Sequence, residues 1–269
     1  MNKITDLQVY LNRMDAALFD KCWWIDKIPA EINTVIDFGC ASGNLKAMID
    51  HLAPRKYFYI GIDDSQTMRD ECYKKGIFCF ANIEDAISHV NPKKTILVMN
   101  SVIHEILSYS DTYMALFNQL ASYGFRYVAI RDMWAGDPYM GKEGVDALIE
   151  AINDSPYAAE WKQFWDIVTK TRGIGYDNLD IALKEFLLKY WYTENWDREC
   201  KEQYLWYWEK PIKYAFKNYR TKLVEEFYIP YVRDKIYKDF HIEYNAYTHV
   251  KVLFELKGEE HELERNRDR

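Results

Sequence analysis

No two of the five cysteines, at positions 22, 40, 72, 79 and 200, form a Cys-x-x-Cys pair, and an odd number of scattered thiols makes no disulfide framework. Free thiols in a reducing compartment are expected. No run of about 18 apolar residues is present to span a bilayer, and no basic-then-apolar pair near residue 1 reads as a secretion signal. The expectation is a cytoplasmic protein with no membrane partner. Cationic excess is missing as well: 35 Lys and Arg stand against 42 Asp and Glu, a formal net charge of −7. Sequence-independent binding to nucleic acid uses a basic face to displace counterions from phosphates. The overall balance offers none, although a local patch remains compatible with it. His-Glu-x-x-His and clustered Cys/His spacings are absent, so no metal is expected. Internal repeats and low-complexity linkers are absent too.

What is present is enough chain, 269 residues, for one large domain or a domain with a substantial insertion. Aromatic residues make up 16%, with 22 Tyr and 9 Trp, many of them after residue 157. Apolar positions at Leu7, Leu11, Met14, Leu18 and Cys22 recur at helical spacing, and Pro29 closes that segment. From residue 34 strands and helices alternate. Strands are expected at 34–38, 57–62, 77–81, 95–100 and 126–131, with helices at 44–52, 68–74, 85–90 and 111–123. Asp63-Asp64-Ser65 is placed to cap the second of these helices. Such alternation implies an α/β fold with a doubly wound, mostly parallel sheet.

The rhythm breaks at Met133. Residues 134–180 carry Gly136, Asp137-Pro138, Gly141, Gly144 and Arg172-Gly173-Ile174-Gly175 around two helical stretches. Residues 181–209 read as a long aromatic helix broken near Asn195, with Glu185, Lys189, Glu194, Asp197, Arg198 and Glu199 as its solvated face. Residues 241–244 and 248–256 read as strands that finish the sheet as an antiparallel pair. The expected division is a core with an N-terminal helix over 1–133, an aromatic helical insertion or lid over 134–235, final strands over 236–256 and a charged tail over 257–269.

The first strand runs into Val35-Ile36-Asp37-Phe38-Gly39-Cys40-Ala41-Ser42-Gly43-Asn44-Leu45. A strand, a glycine turn and a helix N-terminus present bare backbone N–H groups to a ligand. The turn alone also suits a nicotinamide or flavin site. Three features narrow it. The loop is shorter than Gly-x-Gly-x-x-Gly, Asp37 precedes the first glycine by two residues, and Asp63 ends the next strand about 20 residues on, where a carboxylate can take ribose hydroxyls.

These residues resemble motif I of the class I S-adenosylmethionine-dependent methyltransferases. Gly61-Ile62-Asp63-Asp64-Ser65 resembles that family's acidic second-strand end, and Phe80-Ala81-Asn82-Ile83-Glu84 its adenine-side turn, with Asn82 where an Asp is usual. Residues 96–106 and 127–133 resemble its fourth- and fifth-strand motifs. The resemblance covers residues 33–135. It implies a seven-stranded Rossmann-like sheet with a helical insertion after the fifth strand. It also implies S-adenosylmethionine as cofactor, held by Asp37, Gly39, Ala41, Gly43, Asp63, Asp64, Asn82, Ile83 and Asn100. Ala41 stands where the family loop has its middle glycine.

After the fourth strand comes Met99-Asn100-Ser101-Val102-Ile103-His104-Glu105-Ile106. The Asn/Asp-Pro-Pro-aromatic turn of amino-methylating enzymes is absent, and the segment resembles the His-bearing variant found in many small-molecule methyltransferases. His104 is a candidate general base, since an imidazole titrates near neutrality. Arg131 and Asp132 share its rim, with an ion pair between them as the plain alternative; Asp132 is a second catalytic candidate and His249 a weaker one. The expected function is methyl transfer to a small organic acceptor at O or N. A nucleic-acid or nucleotide methyltransferase with a base-stacking lid and a non-catalytic cofactor-binding partner module are the alternatives.

Overall fold

A computed structural model describes residues 12, 15–134, 141–173, 179–205 and 209–258. Seven strands form one sheet: β1 (Thr34–Phe38), β2 (Phe58–Ile62), β3 (Phe78–Phe80), β4 (Thr95–Asn100), β5 (Tyr127–Met133), β6 (Tyr219–Phe227) and β7 (His249–Leu256). Their spatial order is β3-β2-β1-β4-β5-β7-β6. The first five are parallel, and β7 runs antiparallel to both β5 and β6. Every residue of β4 and β5 is buried, because helices cover both faces of a parallel sheet and its strands become continuous apolar runs. One core packs Ile36, Ile60, Leu97, Val128 and Phe254; the other packs Val35, Tyr59, Val98, Ala129 and Leu253 with Trp24 and Ile49. The parallel register places Asp37 beside Gly61 and Val98, so β1, β2 and β4 end together. The seven-stranded Rossmann-like sheet is present, as is the helical insertion after β5.

Several expectations are corrected. β6 lies within the segment assigned to the insertion, and 241–244 is not a strand. His241 takes the left-handed conformation (φ +55°) and caps the helix Pro230–Phe240, while Tyr244 is buried in the insertion's core. β6 is a mostly exposed edge strand, Tyr-Arg-Thr-Lys-Leu-Val-Glu-Glu-Phe, whose charges discourage further pairing and hide its strand character. A helix at Ile103–Tyr109 precedes the one expected at 111–123, found at Tyr113–Ser122. The long aromatic helix is shorter, Leu179–Lys189, followed by single turns at Thr193–Asn195 and Trp196–Glu199. Leu7, Leu11, Met14, Gly136, Asp137-Pro138, Ile174-Gly175, residues 206–208 of the second aromatic stretch and the tail beyond 258 lie outside the described residues.

The insertion has a hydrophobic core of its own, with Leu148, Phe164, Phe186, Tyr190 and Trp196 joined by Ile236 and Phe240. The supposed solvated face is largely interior: Glu185 is 2% exposed, Lys189 is fully buried, and Glu199 is buried. Lys189 Nζ donates to Glu185 Oε1 (2.8 Å) and to the carbonyls of Glu199 and Glu202 (2.7 Å each), above the Tyr204 ring. Arg172 Nη1 donates to both Glu185 oxygens at 2.9 Å. A buried charge persists when fully paired, and this network ties three helices together. No helix among the described residues is long and apolar enough to cross a membrane.

Candidate active site

At the C-terminal ends of β1, β2 and β4, where a doubly wound sheet opens a crevice, lies a cleft of about 370 Å³ including its mouth. Asp37, Gly39, Ala41, Asn44 and Asn100 line it. Tyr59 Oη donates to Asp37 Oδ2 at 2.5 Å. Burial pushes the Asp37 acid up to about 6, against the Tyr59 hydrogen bond and the Lys21 ammonium, which favour the carboxylate. The Gly39 and Cys40 amides donate to the Ile62 carbonyl at 2.8 and 3.0 Å, stitching the loop to the end of β2. A Cβ at Gly39 would stand 2.7 Å from Val102 Cγ2, so only glycine lets the loop lie this close to the turn after β4. Ala41 also takes the left-handed region, φ +48°, despite its Cβ.

Asp63 accepts from the Ala41 amide (2.9 Å) and the Ser65 amide (3.0 Å), and so fixes both the loop and the start of the next helix. Asp64 is exposed beside it. Asn82 is exposed and caps the helix Ile83–Ile87: its Oδ1 accepts from the Asp85 amide and its Nδ2 donates to Asp85 Oδ2, both at 3.0 Å. The Ile83 side chain packs into the sheet core. Asn100 is buried, and its Oδ1 has no partner among the described residues, an acceptor left open at the cleft.

Sequence reasoning missed Lys21. It is buried at the end of the helix Leu18–Lys21, and burial lowers its ammonium to about 8, with Arg131 pushing the same way and Asp37 opposing. Its position three residues after Leu18, on the apolar stripe of the N-terminal helix, was the signal. Lys21 also lines a second, larger cavity of about 880 Å³ including its mouth, so one side chain forms a wall common to both.

In that chamber His104, at the start of the helix after β4, meets Asp132 from β5. His104 Nδ1 and Asp132 Oδ1 are 2.7 Å apart, and Asp132 also accepts from the Ile103 amide (2.6 Å) and the Met133 amide (2.7 Å). With Nδ1 committed, Nε2 is the nitrogen left to a ligand. Burial would lower the His104 pKa, but the Asp132 charge and hydrogen bond overcome it and raise it to about 9. The neighbour Glu105 is therefore not its orienting partner. Arg131 does not pair with Asp132 either: its Nε donates to Asp20 Oδ2 (2.6 Å), its Nη1 to Ser101 Oγ (3.1 Å), and its buried Nη2 has no partner among the described residues. His249 lines the same chamber with Nδ1 2.8 Å from Thr248 Oγ1; burial and nearby cations hold it well below the usual histidine range. Glu105 and Glu202 share Arg198 Nη2 at 2.9 Å each, and Trp191, Tyr192, Tyr204 and Tyr231 complete the walls.

The Asp37 carboxylate, the Asn100 side-chain carbonyl and the Lys21 ammonium form a polar set that fits a zwitterionic amino-acid end. No protein-family model matches the chain, and no curated protein matches it. Among solved structures, a SAM-dependent methyltransferase from Archaeoglobus fulgidus is similar at 12% identity, with 93% of this chain and all of that one covered and a TM-score of 0.49. The plantazolicin methyltransferase BamL, solved with a triazolic desmethylPZN analog and SAH, is similar at 12% identity over 90% of this chain and 84% of its own, TM-score 0.48. Magnesium protoporphyrin IX methyltransferase from Synechocystis, solved with SAH, is similar at 11% over 96% and 90%, TM-score 0.46.

Proposed function

We propose that the chain is an S-adenosylmethionine-dependent methyltransferase acting on a small organic molecule at oxygen or nitrogen. The observation that carries this reading is the pair of cavities sharing Lys21 as a wall, the glycine loop on one side and the His104–Asp132 dyad on the other. In the first, Asp37 and Asn100 would take the cofactor's ammonium, Lys21 its carboxylate and Asp63 the ribose. S-adenosylmethionine supplies a methyl group on a sulfonium, open to in-line attack. The chain's own residues then position the nucleophile and manage its proton. His104 Nε2 accepts the acceptor's proton once the imidazole is neutral, and Asp132 holds the ring and stabilises the imidazolium that forms. The aromatic walls suit a flat acceptor.

The test has two parts. Calorimetry with S-adenosylhomocysteine should show one site per chain, weakened at least tenfold by Asp63→Ala; binding of NAD in its place would overturn the cofactor assignment. Methyl-labelled cofactor should then label a metabolite extract and not total RNA. Label in RNA would move the acceptor to nucleic acid, and cofactor binding without transfer to either would favour a non-catalytic module.

A further inference from the structure

Three cysteines that the sequence scatters converge beside the cofactor loop. Cys40 follows Gly39 in the loop, Cys72 lies in the last turn of the helix Gln66–Lys74, and Cys79 is in β3. Cys40 Sγ is 3.9 Å from Cys72 Sγ and 3.5 Å from Cys79 Sγ, and the three sulfurs all lie within 4.8 Å of one another. Three thiolates bound in a plane to one ion at the ~2.3 Å of a zinc–sulfur bond stand roughly 4 Å apart. The two Cys40 spacings fall within about half an ångström of that value, so an ion needs little movement of the side chains.

The surroundings agree. Gly61 in β2 lies under the cluster: a Cβ there would stand 2.5 Å from Cys40 Sγ and 3.2 Å from Cys79 Sγ. The absent side chain leaves the sulfurs facing one another. The Ala41 carbonyl oxygen is 3.4 Å from Cys40 Sγ and 3.3 Å from Cys72 Sγ, a hard donor placed beside the soft ones. Cys79 is only half-buried, which gives an ion a way in from solvent, while Cys40 and Cys72 are buried. Cys22 and Cys200 are the contrast, since both are buried and, among the described residues, neither joins the sulfur cluster.

We propose that Cys40, Cys72 and Cys79 form a trithiolate site for a soft cation of the zinc class. Binding exchanges three S–H bonds for three metal–sulfur bonds, and the protons leave to solvent, with no change of oxidation state. The bound ion joins the cofactor loop to β3 and to the helix Gln66–Lys74, a clamp independent of the Asp63 bonds to the same loop. Its role is structural or regulatory, because none of the three cysteines lines the chamber that holds His104.

The test uses the full chain, reduced, stripped with a chelator and titrated anaerobically with Cd2+. Sulfur-to-cadmium charge-transfer absorption should saturate at one equivalent with the intensity of three thiolate bonds, with protons released in step, and Zn2+ should bleach it. Cys79→Ser, at the half-buried position where folding is least at risk, should lose about a third of the intensity and at least tenfold in affinity. Cys72→Ser should do the same, and Cys200→Ser should change neither. The proposal is overturned by absorption that fails to saturate at one equivalent, by an unchanged titration in Cys79→Ser, or by weakening in Cys200→Ser. None of these readouts depends on cofactor binding, so failure of the methyltransferase reading and failure of the metal site remain distinct results.

Discussion

At the scale of single residues, the His104–Asp132 contact makes the sharpest statement about chemistry. A histidine raised to about 9 is an imidazolium at neutral pH and accepts no proton until it loses one. The rate of methyl transfer should therefore rise tenfold per pH unit below about 9 and level off above it. Asp132→Asn removes the charge that raises the pKa, so the plateau should begin at lower pH while its height falls; profiles of kcat/KM against pH check both. The same shift bears on stability. A folded pKa above the unfolded ~6.5 stabilises the protein fully below that value, and the contribution is lost as pH rises through about 9. Ala41 makes a second residue-scale prediction. Its left-handed conformation carries a steric penalty that glycine escapes, partly offset by glycine's entropy in the unfolded chain. Ala41→Gly should raise stability by about 0.5 kcal/mol in urea unfolding, with S-adenosylhomocysteine binding retained.

Among the elements, the helix Leu179–Lys189 holds a lysine where an apolar side chain is usual. Lys189→Ala would leave the Glu199 carbonyl without its buried donor, and the Glu202 carbonyl and the Glu185 carboxylate with Arg172 alone. Breaking such a group costs about 3 kcal/mol, so the variant should unfold at markedly lower urea, whereas Lys189→Met should recover part of the loss by packing. The network also shows why sequence reading stops where it does. Charges at helical spacing look the same whether they face water or one another, and only the elements packed above them decide. β1, β4 and β5 were legible because two covered faces leave a strand no polar positions except at its tip, where Asp37, Asn100 and Asp132 stand. β6 was not, because an edge strand carries its charges along its length. The glycine loop and Asp63 could be read from spacing alone. The partnership of His104 with Asp132 could not: 28 residues separate them, and the register of β4 and β5 brings them together. Asn82, read as a ligand, also caps the helix Ile83–Ile87.

For the molecule as a whole, the two cavities are not independent rooms. Lys21 belongs to both, so its loss should be felt on both sides. Lys21→Met is expected to raise KM for S-adenosylmethionine and for the acceptor together, severalfold each, in initial-rate measurements that vary both substrates. An effect on one alone would confine Lys21 to that cavity.

The position of β7 carries a consequence for how the protein comes to exist. β7 follows every other strand along the chain, yet it sits inside the sheet, filling the gap between β5 and β6. Until the ribosome has passed Leu256, β5 has an open edge, β6 has nothing to pair with, and the sheet core lacks Val250, Val252 and Phe254. The dyad's own strand is thus left unsealed from the synthesis of Met133 to that of Leu256. For that interval the nascent protein is a half-closed sheet with a sticky margin, and its yield in a cell is set by how long that margin waits for its last strand.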